Sequence, residues 1–344
     1  MTLTESRSRA SRKGPRLAWR LQPAQSVAIW LFIALLGLVA ATSGLAILGD
    51  SFWLGDMLAF FRPHLAALSA LLVVFALALR RFLPLAAALT ILGFNAYPLL
   101  VPNVAMAQPA TTANLRFMSA NVLFDNRSKE LFRESVATLA PDVIVTQEAR
   151  YEWPAALRDL PGYPYVAGPD VLWWNGNIVV SRVPLRARLV EDMPPAGGPI
   201  GGAHALRVEI AVPQAERRVV LYAIHAPTPR TEAGWHARNE YLKTLAMRIA
   251  AEPPEVNVIV AGDWNTPVWS TTFKRFFDAT GMLATERSAW PSPTRLFSDF
   301  GAPAFLGTPI DHIAVSDSIG VKAFSTGPDF GSDHLPVVAD LNIP

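Results

Sequence analysis

Eight polar residues stand at or beside the ends of hydrophobic runs in the C-terminal two-thirds of this 344-residue chain: Asn121, Glu148, His225, Asp263, Asn265, Asp311, Asp333 and His334. Carboxylates and carboxamides are hard oxygen ligands for a divalent cation, a carboxylate or imidazole can take a proton from water, and N–H groups stabilise charge building on an oxygen. Cysteine is absent, which excludes disulfides, zinc–thiolate sites and a thiolate nucleophile. Each position alone has an ordinary reading: Asp and Asn at a strand end are most often turn residues or caps, and a histidine is most often a satisfied core side chain. The signal is the recurrence. Strand after strand is followed by such a residue, and strands of one sheet deliver their ends to a common rim.

The elements that must position these residues are short runs rich in Val, Ile, Leu and Phe between polar turns. Leu115–Leu123, Val143–Gln147, Asn177–Ser181, Leu206–Ala211, Val219–His225, Val256–Ala261, Ile310–Val315 and Pro336–Leu341 read as strands. Lys129–Leu139 and Glu232–Ala251 read as helices. Many strands, fewer helices and an order that is not strictly βαβ predict an α+β sandwich.

The segments SANVL (119–123), VTQE (145–148), GNIVVSR (176–182), IHAP (224–227), AGDWN (261–265), IDHI (310–313) and GSDHLPVVADL (331–341) resemble the endonuclease/exonuclease/phosphatase superfamily, in its order and across nearly all of 115–344. The resemblance implies a four-layer α/β/β/α sandwich of two mostly antiparallel sheets with the site at one rim. It implies a Mg²⁺-dependent phosphoesterase, with Mn²⁺ as a substitute cation. Glu148 is then expected as the primary metal ligand, aided by Asn121 and Asp333. Asp263 is expected to orient and deprotonate water, with His334 as the competing base. Asn265 and His334 would donate to phosphoryl oxygens, Asp311 would hold the His334 ring, and His225 would contact the same phosphate. Trp264 and His312 are expected to be structural, His204 and His236 to lie at the surface, and Arg182 and Arg238 to face the phosphate or brace the sheet. Trp173-Trp174-Asn175-Gly176 stacks a substrate group, touches lipid or packs in the core.

The first hundred residues differ in kind. Half of the chain is hydrophobic and only 17% is charged, and the apolar excess is concentrated here. Segments 26–48, 63–79 and 82–101 are predicted membrane helices, the second being the shortest, and Trp53–Phe61 an amphipathic lead-in. Residues 1–100 carry nine Lys/Arg against three acidic residues, so that of a total net charge of +2 residues 101–344 account for −4. The Arg-rich tail, 1–25, and Arg80-Arg81 are expected on the cytoplasmic side and Asp50 and Asp56 outside. Three crossings would carry 115–344 to the outer, periplasmic side; two would leave it in the cytoplasm. Residues 102–114 read as a linker, and Ala105-Met106-Ala107 has the form of a signal-peptidase site, although permanent anchoring is favoured by the three runs before it.

The implied partners are the bilayer and a phosphate ester on a lipid head group, a nucleic acid or a small molecule; no protein partner is indicated. An extracytoplasmic nuclease is the alternative within the family, and the acidic charge of 101–344 counts against it. A catalytically inactive binding module requires a lost motif residue, and every motif position carries a competent side chain. No intramembrane carboxylate suggests a transporter.

Overall fold

A computed structural model describes residues 23–168, 176–190, 193, 201–288, 290–296 and 306–344. The basic tail up to Gln22 and Trp173-Trp174-Asn175 lie outside the described residues.

Two six-stranded sheets face each other. One holds β1 (Leu115–Asn121), β2 (Val143–Gln147), β3 (Tyr165–Ala167), β4 (Ile178–Ser181), β11 (Gly320–Thr326) and β12 (Val337–Asn342) in the order β11-β12-β1-β2-β4-β3. The other holds β5 (Leu185–Leu189), β6 (Ala203–Ile210), β7 (Val219–His225), β8 (Asn257–Asp263), β9 (Leu283–Ala284) and β10 (Asp311–Val315) in the order β5-β6-β7-β8-β10-β9. Helices α5 (Lys129–Leu139) and α6 (Trp153–Arg158) cover the first sheet, and α7 (Glu232–Ala250) and α8 (Thr271–Thr280) the second.

The near-continuous hydrophobic strands follow from burial on both faces. In β7, Val219, Leu221 and Ala223 enter the layer between the sheets, while Val220, Tyr222 and Ile224 pack under α7 and α8. In β1, Leu115 and Phe117 face the inter-sheet core, and Met118 and Ala120 face α5. Among the described strand pairs only β1–β2 and β7–β8 are parallel, and in each case the connection carries a helix, α5 or α7. These pairings set the level of the site: Asn121 lies opposite Gln147, and His225 and Asp311 flank Asp263 on either side.

The predicted strands and both helices are present, β6 starting earlier than expected. Missing from the sequence reading were the edge strands β3, β5, β9 and β11, along with α6 and α8. β5 (LRARL) is largely exposed and carries no hydrophobic run. α8 had legible signals, a Ser270 side chain capping Phe273 N–H and Gly281 closing the helix in left-handed geometry, with Phe273, Phe276 and Phe277 on its buried face.

Helices α1 (Pro23–Leu45), α2 (Trp53–Phe60), α3 (Arg62–Ala78) and α4 (Phe82–Leu100) precede the sandwich, with one 3₁₀ turn over Ala46–Asp50. Val27–Asp50 and Phe82–Leu100 are long and apolar enough to cross a bilayer, and α2 with α3, bent by 67°, makes a third if the pair counts as one span. Phe32, Val39, Leu72, Ala76 and Ala88 pack between α1, α3 and α4. Trp30, Leu71, Phe75, Phe82 and Leu83 point outward, forming an apolar belt that suits lipid. Asn95 on α4 donates to Ser43 Oγ on α1 at 2.8 Å, a polar tie inside the bundle.

The segment that follows is less free than its composition suggests. Ala107 is buried, its N–H donates to Ala284 O at 2.9 Å, and Val321 N–H donates to Gln108 O at 2.8 Å. The triplet 105–107 is thus paired with the edge strand β9, and Gln108 and Ala110 with the edge strand β11.

Candidate active site

Glu148 immediately follows β2 with φ +57°, a left-handed conformation that costs a non-glycine residue of order 1–3 kcal/mol. That turn aims the carboxylate back along the rim. Its backbone neighbour there is Gly176, whose added Cβ would lie 3.3 Å from Glu148 Cα.

In the other sheet the close approach of parallel strands dictates the sequence. A Cβ on Gly262 would lie 1.9 Å from Ile224 O, so only glycine fits before Asp263. Asp263, buried, accepts from Asn265 N–H through Oδ1 at 2.8 Å, an Asx turn that also explains the left-handed φ of +46° at Asn265. The Asn265 side chain donates to Ala226 O at 3.0 Å, tying this turn to the residue after His225.

Asn121 joins the two halves. Its amide nitrogen lies 3.1 Å from Glu148 Oε1 and 3.1 Å from Asp263 Oδ2, and its oxygen accepts from Leu123 N–H at 3.0 Å. In this setting the amide braces the carboxylates with its nitrogen; ligation of a cation through its oxygen requires the amide to turn over. His225 Nε2 is 3.7 Å from Asp263 Oδ2 and 4.0 Å from Glu148 Oε1.

His334 stands on the same rim. Its Nδ1 is 2.8 Å from Asp311 Oδ2, and its Nε2 is 3.9 Å from both Asp263 Oδ2 and Asp333 Oδ1. Burial by itself would lower the pKa of His334, but Asp311, Asp263 and Asp333 overcome it and raise it to about 9. The ring is therefore an imidazolium at neutral pH. Asp263 moves upward from the ordinary carboxylate value, because it is buried and faces Asp311. Burial also opposes ionisation of Glu148, yet His225, the Asn121 amide and His334 hold its pKa below the usual value.

All eight expected residues thus line one rim. Asp263, Asp311 and His334 also offer ligand atoms within 4.8 Å of one another, a grouping able to hold a cation. In that cluster His334 is bonded to Asp311, whereas Glu148 keeps partial exposure and Asp333 Oδ1 is buried with no hydrogen-bond partner. Glu148 and Asp333 also offer oxygens that could hold a hard divalent ion, with Asn121 beside Glu148.

The remaining expectations resolve individually. Trp264 is fully buried among Phe273, Phe276 and Phe277 and donates to His312 O, and His312 Nε2 donates to Thr266 O at 2.8 Å with its pKa pushed by burial down to about 4; both are structural. Arg182 lies over the Tyr163 ring. Arg238 is fully buried and reaches Asn265 O rather than open space. His236 is exposed, but His204 is half-buried in β6.

Four supporting residues escaped the sequence reading. Ser332 Oγ donates to Asn121 O at 2.7 Å and accepts His334 N–H, Thr294 Oγ1 receives the N–H groups of Ile310 and Asp311, Arg295 pairs with Asp333 Oδ2 at 2.7 Å, and Asn177 spans to His204 O. Ser332 and Asn177 lie inside quoted motifs; Thr294 and Arg295 sit in a stretch with no motif around them.

Comparison with known proteins agrees with this fold. The sequence profile described as the Endonuclease/Exonuclease/phosphatase family matches residues 112–334. No curated protein matches the sequence. Among solved structures, an endonuclease/exonuclease/phosphatase from Beutenbergia cavernae is 21% identical with a TM-score of 0.53, covering 67% of this chain and 72% of its own. Sphingomyelinase C from Streptomyces griseocarneus is 18% identical with a TM-score of 0.50, covering 67% and 100%. A humanised D. rerio TDP2 is 15% identical with a TM-score of 0.52, covering 66% and 98%. At such identities the structures share the fold.

Proposed function

This chain belongs to the endonuclease/exonuclease/phosphatase family, and we propose that it is a membrane-anchored hydrolase of phosphate esters that acts by in-line attack of water. The observation that carries this reading is the Asn121 amide bridging Glu148 and Asp263 from opposite sheets, with two imidazoles within 4.0 Å of those carboxylates. Glu148 and Asp333, with Asn121, would hold Mg²⁺, which when bound polarises the phosphoryl group and offsets charge on the leaving oxygen.

The residues of the chain divide the rest of the work. Asp263 orients water and takes its proton; its upward-shifted pKa makes it a stronger base than an ordinary carboxylate. The His334 imidazolium donates from Nε2 to a non-bridging oxygen as negative charge builds, while Asp311 fixes the ring through Nδ1. Asn265 keeps one side-chain N–H beyond its bond to Ala226 O, and His225 presents Nε2 to the same space.

Three crossings with the basic tail and Arg80-Arg81 inside would set the sandwich on the outer face. The apolar helices adjoin the sandwich, and the charge of 101–344 is acidic. Both features favour a phosphate ester at the lipid surface over nucleic acid. The test is turnover by the full chain in detergent, with Mg²⁺ or EDTA, of phosphoinositides, sphingomyelin, plasmid DNA, RNA and an aryl phosphodiester. Metal-dependent release from at least one substrate supports the reading; none from any of them removes it.

A further inference from the structure

Helix α2 lies between two apolar helices, yet it is bound to the sandwich beside the site. Asp56 and Arg238 are both buried, and Asp56 Oδ2 lies 2.9 Å from Arg238 Nη2. The guanidinium goes on through Nη1 to Asn265 O at 3.1 Å, and Nε and Nη2 reach Asn239 Oδ1. Asn265 in turn supplies the N–H that orients Asp263 Oδ1 and the amide that ties Ala226. Two further struts run from the same helix. Trp269 Nε1 donates to Ala59 O at 2.8 Å, and Thr308 Oγ1 donates to Phe60 O at 2.9 Å. Thr308 pairs through its backbone with Arg295, which holds Asp333.

We propose that α2 is part of the active-site framework, with Asp56 and Arg238 as positioning residues that hold the left-handed turn at Asn265 and hence the Asp263 carboxylate. An arginine cannot shed its proton in a protein interior. Arg238 therefore needs a buried anion, and Asp56 is the carboxylate at ion-pair distance among the described residues. Removing it leaves an unpaired charge that recovers solvation only by moving, and Asn265 O moves with it. The membrane region then has a second role besides anchoring: it completes the site. The inference rests on the reading of Asp263 and Asn265 as working groups of the hydrolase.

The test compares wild type, Asp56→Asn, Asp56→Glu and Trp269→Phe as full chains in detergent. Two measurements are made: kcat and KM on an aryl phosphodiester with Mg²⁺, and hydrogen exchange of peptides covering 263–270 and 219–224. Asp56→Asn is expected to lower kcat by about tenfold or more, as displacement of a working group does. KM for the soluble substrate should stay within about threefold, since Glu148, Asp333, His225 and His334 keep their places. Exchange should quicken in 263–270 and stay unchanged in 219–224. Asp56→Glu should recover part of kcat, and Trp269→Phe, which removes one strut and leaves the ion pair, should move both readouts in the same direction by less. Wild-type kcat and exchange in Asp56→Asn would overturn the proposal, as would faster exchange spread evenly over both peptides. If wild type turns over nothing, the functional reading fails, while the exchange result still decides this one. If Asp56→Asn does not fold, Trp269→Phe decides.

Discussion

Glu148 and Asp263 belong to different sheets, yet each carboxylate places an oxygen 3.1 Å from the same amide nitrogen of Asn121. Asp263 is buried and Glu148 half-buried, and N–H donors and rings surround them: the Asn265 N–H, His334 and His225.

Asp263→Asn is predicted to lower kcat by at least about a hundredfold, the scale of losing a general base. Stability should hold or rise, because the asparagine removes a carboxylate that burial and Asp311 make costly to ionise. Turnover and thermal unfolding measured on one preparation check the opposed signs.

The alkaline side of the pH–rate profile should lie above the ordinary histidine value of 6.5, because His334 is shifted upward and must keep the proton it donates. The acid side should lie above the ordinary aspartate value of 3.8, because Asp263 is shifted upward and must be ionised to act. The folded pKa of His334 exceeds its ordinary 6.5, so its contribution to stability is complete below 6.5 and is lost as the pH rises through about 9. Asp311→Asn removes the main raising partner and should shift the alkaline limb downward by about one unit or more, a change worth about 1.4 kcal/mol per unit. Activity against pH for the two proteins tests this.

His312 supplies a contrasting pH effect. It is buried neutral, with a pKa near 4 against an ordinary 6.5, so its contribution is present above 6.5 and is lost as the pH falls toward 4. Unfolding temperature should decline over that interval, and His312→Gln should flatten the decline.

Glu148→Gln is predicted to raise the Mg²⁺ concentration for half-maximal activity by about tenfold or more, because a neutral oxygen replaces the charged ligand a hard cation prefers. EDTA should abolish wild-type activity, and Mg²⁺ should raise the unfolding temperature of wild type more than that of the variant. Metal titrations followed by turnover and by thermal shift provide the check.

Much of this site was readable from order and type alone. β7 and β8 announce themselves as unbroken apolar runs because both faces are covered, and their polar ends mark the rim. GDWN was legible because only glycine fits beside Ile224 O and an Asx turn must follow. What stayed hidden was set by distant contacts. Arg295 meets Asp333 across a loop without a pattern, and Arg238 takes its meaning from Asp56, far away in the chain. The edge strands β5 and β11 bury little and so carry little hydrophobic signal. Asn121 was expected to aid a metal through its amide oxygen or a bound water; its nitrogen faces the carboxylates, an orientation that the surrounding hydrogen bonds decide.

The most direct measurement is anomalous scattering from crystals of the full chain soaked with Mn²⁺ and inorganic phosphate. The account predicts a Mn²⁺ peak against the Glu148 carboxylate, with the phosphate between it and His334, Asn265 and Asp263. A Mn²⁺ ion seated instead among Asp263, Asp311 and His334, or a phosphate bound away from Asp263, would contradict it.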